Sequence, residues 1–198
     1  MVARHDLVRD PEVRAALLLA RRGTAFFSRV LAQLPEAELD GPSRVPGWSR
    51  RHVVAHVGYN ARALSRLVEG VRTGVAGRMY ASRAARDREI ELAATLGSAA
   101  LRNLHAHAAV HLSVEWRDLP DDRWHTPVLT PAGEVPVAET VRMRAREVWL
   151  HAVDLDNGAR PQDVPTEVRD GLPERAWCDG AGDGPHLRPT SAEKGRDT

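Results

Sequence analysis

The sequence predicts an all-α protein, a four-helix bundle, and three observations carry that reading. Apolar residues recur at three-to-four spacing through four long stretches. Segments rich in Pro and Gly separate those stretches, and one of them, Trp124 to Val135, has the look of a loop or small hairpin. The connections are of medium length, which suits helices folding back around one shared core.

The first helix begins at Asp10-Pro11. Asp10 can cap free backbone N–H groups, and Pro11 suits the first turn. Leu17, Leu18, Ala20, Ala25, Phe26, Val30, Leu31 and Leu34 give it a broad apolar side, Gly23 weakens it without ending it, and Pro35 marks its end. A loop follows through Gly47. Ser49 is the expected N-cap of the second helix, which runs to about Val71 with Val53, Val57, Asn60, Leu64, Leu67, Val68 and Val71 on one stripe. His56 lies inside that stripe and His52 at its edge.

Gly74 to Met79 is a break. Ala81 to about Leu119 is helical again, with Gly97-Ser98 as a kink or a boundary between two segments. Pro120 ends that stretch. Pro136 opens the last long helix, and Asn157-Gly158 closes it. Ala159 to Val168 is a Pro-bearing connector. From Leu172 the chain is rich in Gly, Pro, Asp and Arg, too poor in apolar residues for a core of its own, so a poorly ordered C-terminal tail is expected. The expected organisation is a helical bundle over residues 1–160, then a connector and tail over 161–198.

At 198 residues the chain suits one domain with an appendage. A net charge of +1 with no long basic run argues against a nucleic-acid partner. Cys178 is the single cysteine, so no intrachain disulfide can form. That fits a reducing compartment. The N-terminus carries charges rather than an apolar signal core, and the run Ala15 to Ala20 is too short to span a bilayer. A cytoplasmic protein without a membrane partner is expected; composition is silent on oligomeric state.

The chemistry concentrates in the last long helix. Glu147 and His151 are four residues apart and project from one face, where they can share a metal ion or hydrogen-bond each other. His56 interrupts an apolar stripe, and a buried imidazole needs a partner. It is either a core histidine bonded to a carboxylate or, if the second helix faces the last, a third ligand. Two imidazoles and a carboxylate suit Zn²⁺ with a water or substrate atom in the fourth position. They also suit Fe²⁺ or Ni²⁺.

His107, His111 and Glu115, with His105 nearby, form a rival stripe. Three such positions span about 12 Å of helix axis at 1.5 Å per residue, so they cannot all reach one ion, and a solvated face is the simpler reading. His5, His125 and His186 carry no pattern. Cys178 lies in the tail with His186 as its nearest histidine, a weak arrangement for a nucleophile. There is no Gly-rich phosphate loop and no Gly-x-Ser-x-Gly elbow. Arg86, in Arg83 to Ile90, can bind an anion if its side faces inward; otherwise it belongs to a solvated charge cluster.

Two segments taken together resemble a known family. Val45-Pro46-Gly47-Trp48-Ser49 with His52-Val53-Val54-Ala55-His56 is similar to the Pro-Gly-Trp-Ser/Thr…His-Val-x-x-His motif of the mycothiol-dependent maleylpyruvate isomerases, which are DinB-like metal-binding four-helix bundles. Arg146-Glu147-Val148-Trp149-Leu150-His151-Ala152-Val153-Asp154-Leu155 resembles the family's second motif, Arg-Glu-Val-x-x-His-x-x-Asp-Leu. Tyr80 to Glu91 resembles the stretch between them. The resemblance covers roughly residues 10 to 160, and full-length members continue into a small C-terminal α/β domain whose pattern this chain leaves soon after Val168.

The resemblance implies a metal site of His56, Glu147 and His151, with His56 rather than His52 as the ligand. It places Arg86 near the substrate and gives Asp154 the role of orienting a ligand. Arg144, three residues before Glu147 on the same side, is a further candidate for holding a substrate carboxylate. The implied cofactor is Zn²⁺ or another divalent metal, with mycothiol as co-substrate. The implied activity is cis–trans isomerisation: the thiol adds to the cis double bond of maleylpyruvate, rotation follows, and thiol loss gives fumarylpyruvate. A metal-held thiol is deprotonated, which readies it for attack. The partners are then a low-molecular-weight thiol and a small anionic or electrophilic substrate. Two other readings use the same residues: a mycothiol S-transferase conjugating the thiol to an electrophile, and a non-catalytic metal-binding bundle.

Overall fold

A computed structural model describes residues 5–170 of the chain. The expected tail, with Cys178 and His186, lies outside the described residues. Six helices and one hairpin follow in order: α1 Pro11–Gln33, α2 Arg50–Thr73, α3 Arg83–Ala94, α4 Ser98–Asp118, β1 Pro127–Thr130, β2 Gly133–Pro136, α5 Val137–Asp154 and α6 Thr166–Arg169. The protein is all-α apart from that hairpin.

The local signals act as their chemistry requires. The Asp10 carboxylate accepts from the N–H groups of Glu12 and Val13 at 2.8 and 3.3 Å, and caps α1. At the start of α2, Nδ1 of His52 accepts from the Ser49 N–H at 3.2 Å and lies 2.7 Å from the Ser49 hydroxyl. His52 is therefore part of the cap. Gly74 ends α2 at φ 77, a left-handed position that glycine adopts without a Cβ penalty. The stretch from Ala81 to Leu119 is two helices, not one kinked helix. Ser82 caps α3 by accepting from the Ala85 N–H at 3.0 Å, and Gly97 precedes α4. The segment after Trp124 forms the two-stranded antiparallel hairpin, with Pro127 opposite Pro136 and Thr130 opposite Gly133.

The four long helices form a ring in which α1 packs on α5, α5 on α2, α2 on α4 and α4 on α1, while α3 lies against α2. The α1–α5 contact is close because residue 23 lacks a side chain. A Cβ there would meet Val148 Cγ2 at 2.5 Å and the Trp149 ring at 2.7 Å. Trp149 stacks on Phe26 with centroids 5.0 Å apart, and its Nε1 donates to the Leu19 carbonyl at 3.1 Å. Val164 and Val168, in the connector, are buried in the same core as α1, α2 and α5.

The buried apolar residues fall into two clusters. Along α2 the division lies between Val57 and Ala61; along α5 it lies between Ala145 and Val148. Asn60 and Glu147 sit in those gaps and Arg144 at their edge, so the apolar core is cut by a belt of polar side chains. Each of these groups needs a partner inside the fold or at a cleft. No helix among the described residues is long and apolar enough to cross a membrane.

Candidate metal centre

His56 comes from α2, Glu147 and His151 from α5, and the ring geometry makes these two helices neighbours. His56 Nε2 lies 2.7 Å from Glu147 Oε2, and His151 Nε2 lies 3.3 Å from the same oxygen. One ligand atom from each residue falls within 4.8 Å of the others. The two imidazoles meet edge to face, with centroids 4.7 Å apart. A tetrahedral ion with bonds of about 2.1 Å needs donor atoms about 3.4 Å apart. The observed set meets that spacing after small side-chain shifts, so the residues fit a divalent metal.

Both histidines are buried, whereas the Glu147 side chain is 22% exposed. His151 Nδ1 donates to Asp154 Oδ2 at 2.8 Å, which fixes the ring and turns Nε2 toward Glu147. Burial disfavours charge on His151, but its bonds to Asp154 and Glu147 more than offset this, and its pKa is raised to about 9. Burial wins at His56, which is held below its ordinary value despite Glu147. Burial alone would raise the Glu147 pKa, yet the two imidazoles beside it hold its carboxyl well below the usual carboxylate range. The set is thus a carboxylate between a neutral imidazole and an imidazolium. A cation can replace the proton on His151.

His56 and Glu147 open onto a cleft of about 540 Å³, also lined by Asn60, Tyr80, Arg86 and Thr130. Arg86 is buried in its wall, with Nη2 3.3 Å from His56 Nδ1 and Nη1 donating to Asp87 at 3.1 Å. The Tyr80 hydroxyl hydrogen-bonds Arg86, and burial pushes its pKa up to about 12, so it stays protonated. Thr130 and its neighbours bring the hairpin tip over the cleft.

Arg144 is placed differently from the substrate-holding role its spacing suggested. It is 1% exposed, and its Nη1 donates to the Val57 carbonyl at 2.8 Å and to Asn60 Oδ1 at 2.9 Å. It ties α5 to α2 one turn from the His56–Glu147 contact. The rival stripe on α4 does not converge. His105 turns inward and lies 2.8 Å from the Ser28 hydroxyl, with burial depressing its pKa to about 3. His111 lies 3.5 Å from Glu115, whose carboxylate pairs with Arg72 at 3.0 Å. His107 is exposed.

The structure adds residues that sequence reasoning did not single out. Trp48 packs its ring 5.4 Å from the His56 ring. Asn60 and Tyr80 line the cleft. Asn60 carried a signal: it is a polar residue four positions after His56 on the same apolar stripe.

Comparison with known proteins identifies relatives of the chain. Residues 20–156 match the profile of the mycothiol maleylpyruvate isomerase N-terminal domain. No curated protein matches the chain. A crystal structure of the mycothiol-dependent maleylpyruvate isomerase is similar at 45% identity and TM-score 0.77, over 79% of this chain and 65% of that one. A histidine-to-alanine mutant of the mycothiol-dependent maleylpyruvate isomerase is similar at 44% identity and TM-score 0.77, with the same coverage. The match therefore spans about two thirds of the length of those solved chains. With the profile covering most of the bundle, this chain belongs to the mycothiol maleylpyruvate isomerase N-terminal domain family.

Proposed function

We propose that this protein is a metal-dependent, thiol-dependent cis–trans isomerase of the maleylpyruvate type, with His56, Glu147 and His151 holding a divalent metal, taken as zinc, and mycothiol as the thiol. The observation that carries this reading is the convergence of three donor atoms from two helices on one point at the wall of a cleft, in a chain of this family. When bound, the metal supplies a Lewis-acidic position that lowers the pKa of a thiol.

The chain's own residues supply the rest. Asp154 holds His151 in the tautomer whose Nε2 faces the site. Trp48 and the apolar cluster around it close one side of His56 and keep water from that face. Arg86 presents a guanidinium in the cleft wall, suited to a substrate carboxylate. Tyr80 donates or accepts beside it without ionising at neutral pH. The cleft of about 540 Å³ suits a small dicarboxylate together with part of a thiol.

The test is metal analysis of purified protein beside a mycothiol-supplemented assay of maleylpyruvate isomerisation, with conjugation to electrophiles followed in the same samples. About one divalent ion per chain and isomerisation are expected, both lost in H56A, E147A and H151A. Conjugation without isomerisation would assign the protein to thiol transfer instead. Metal content unchanged in all three variants would overturn the site.

A further inference from the structure

Asn60 lies four residues after His56 on α2, about 6 Å further along the helix axis at 1.5 Å per residue. Arg144 lies three residues before Glu147 on α5. The two helices therefore carry two adjacent cross-links: His56 to Glu147 at 2.7 Å, and Asn60 to Arg144 at 2.9 Å. The second one settles how the Asn60 amide is turned. A guanidinium has only donors, so the atom of Asn60 that faces Arg144 must be the carbonyl oxygen. Arg144 is in the core and does not line the cleft, whereas Asn60 does. The oxygen end of the amide thus faces the core, and the NH₂ end is left for the cleft. Among the described residues that NH₂ group donates to no protein partner.

We infer that Asn60 is a substrate-contacting residue whose amide N–H groups donate to the carbonyl oxygen conjugated with the reacting double bond, and that Arg144 is the positioning residue that holds the amide in this orientation. The inference rests on the isomerase reading given above. In that reaction the thiolate sulfur forms a bond to one alkene carbon. The alkene electron pair shifts toward the conjugated carbonyl, whose oxygen takes the negative charge. After rotation about the new single bond the pair returns, the carbon–sulfur bond breaks, and the trans alkene forms with no net change in protons or electrons.

The charge thus appears on the oxygen borne by the carbon two atoms from the attacked one, and the Asn60 amide, one turn along α2 from His56, lines the same cleft. A neutral donor suits this position. Arg86 answers the permanent charge of a carboxylate, whereas an amide N–H strengthens its bond as charge develops and so favours the transition state over the bound substrate. The amide is also preorganised, because its oxygen is fixed by a side chain that is itself buried and bonded to the Val57 carbonyl.

The critical variant is N60D. It keeps an oxygen acceptor for Arg144 and turns a carboxylate oxygen, in place of N–H donors, to the cleft. Zinc content and thermal midpoint are expected to match the parent protein, while kcat/KM for maleylpyruvate isomerisation with mycothiol falls about 10²–10³-fold, mainly in kcat. If Asn60 served only as a partner for Arg144, N60D would keep its activity, and that result overturns the inference.

A second readout needs neither turnover nor a variant. In amide proton–nitrogen correlation spectra of the zinc-loaded protein, the Asn60 side-chain pair is expected to shift on saturation with 2-oxoglutarate, a stable 2-oxo dicarboxylate. An unshifted pair at saturation counts against the inference. This readout still decides if the parent protein fails to isomerise maleylpyruvate, an outcome that sinks the proposed function instead. At equal zinc content, R144K, which can still donate to Asn60, is expected to retain more kcat than R144M. Equal losses would leave Arg144 with a role in folding alone.

Discussion

Asp154 does not line the cleft, yet its removal should weaken metal binding strongly. Its carboxylate accepts from His151 Nδ1 at 2.8 Å, and both side chains are buried. A hydrogen bond to a charged group is worth about 1.5–3 kcal/mol. At 1.4 kcal/mol per tenfold, that range corresponds to roughly a 10- to 150-fold change in an equilibrium constant. Partners that orient a metal-binding histidine are commonly worth about 10- to 100-fold in affinity, which overlaps that range. Asp154→Ala leaves Nδ1–H buried without an acceptor and frees the ring to turn Nε2 away from Glu147. Asp154→Asn keeps a neutral oxygen acceptor and should lose less. A competition titration against a chromophoric zinc chelator at fixed pH should therefore rank the parent first, then Asn, then Ala, with Ala weaker by about 10- to 100-fold. Parent-like affinity in Asp154→Ala, within twofold, would refute the claim that this carboxylate sets the geometry of His151.

Three further outcomes follow from the same geometry. Because His151 carries a proton in the metal-free protein up to about pH 9, a metal must displace it. Apparent zinc affinity should rise about tenfold per pH unit between pH 7 and 8.5, with about one proton released per ion in calorimetry in buffers of different ionisation heat; a flat profile would contradict this. Gly23→Ala should destabilise the fold by about 1–3 kcal/mol in urea unfolding, although Ala is the better helix former by about 1 kcal/mol, because its Cβ would overlap Val148 and Trp149; a stabilised variant would show that the α1–α5 contact yields. His52→Ala should reduce helix-cap stability by about 1 kcal/mol and leave zinc content intact, since His52 closes the α2 cap and does not reach the site; lost zinc would assign it to the metal.

Much of the helical architecture was legible because its signals are local. Asp10-Pro11, Ser49 and Gly74 each bound an element for reasons contained in a few residues, whereas α5 stops at Asp154, ahead of the expected Asn157-Gly158, with Asp156 taking a left-handed position at φ 49. The Gly97 boundary was open in sequence, since a glycine inside an apolar pattern is compatible with both a kink and a break. The pair Glu147 and His151 was legible from helical spacing. The third donor was not, because nothing in the spacing of α2 says which helix it faces; there the motif resemblance supplied His56, and the packing of α2 on α5 supplied the reason. Arg144 and Asn60 show the opposite limit. One had the spacing of a substrate ligand and is turned into the core; the other had the position of a core residue and is turned to the cleft. At about 100° per residue, small rotations decide which way a side chain at the border of a stripe points, and sequence periodicity does not resolve them.

The chain by itself determined the long helical stretches and most of their limits, the Glu147–His151 pair and the family resemblance, because these depend on contacts within a turn or two and on short motifs. Only the tertiary structure decided that α2 lies beside α5, that the apolar core is split by a polar belt, and that the belt opens onto a cleft at His56, Glu147 and Asn60. Those facts depend on how helices distant in sequence rotate against one another to bury their apolar sides. That balance is set by the whole packed interior rather than by any single stretch.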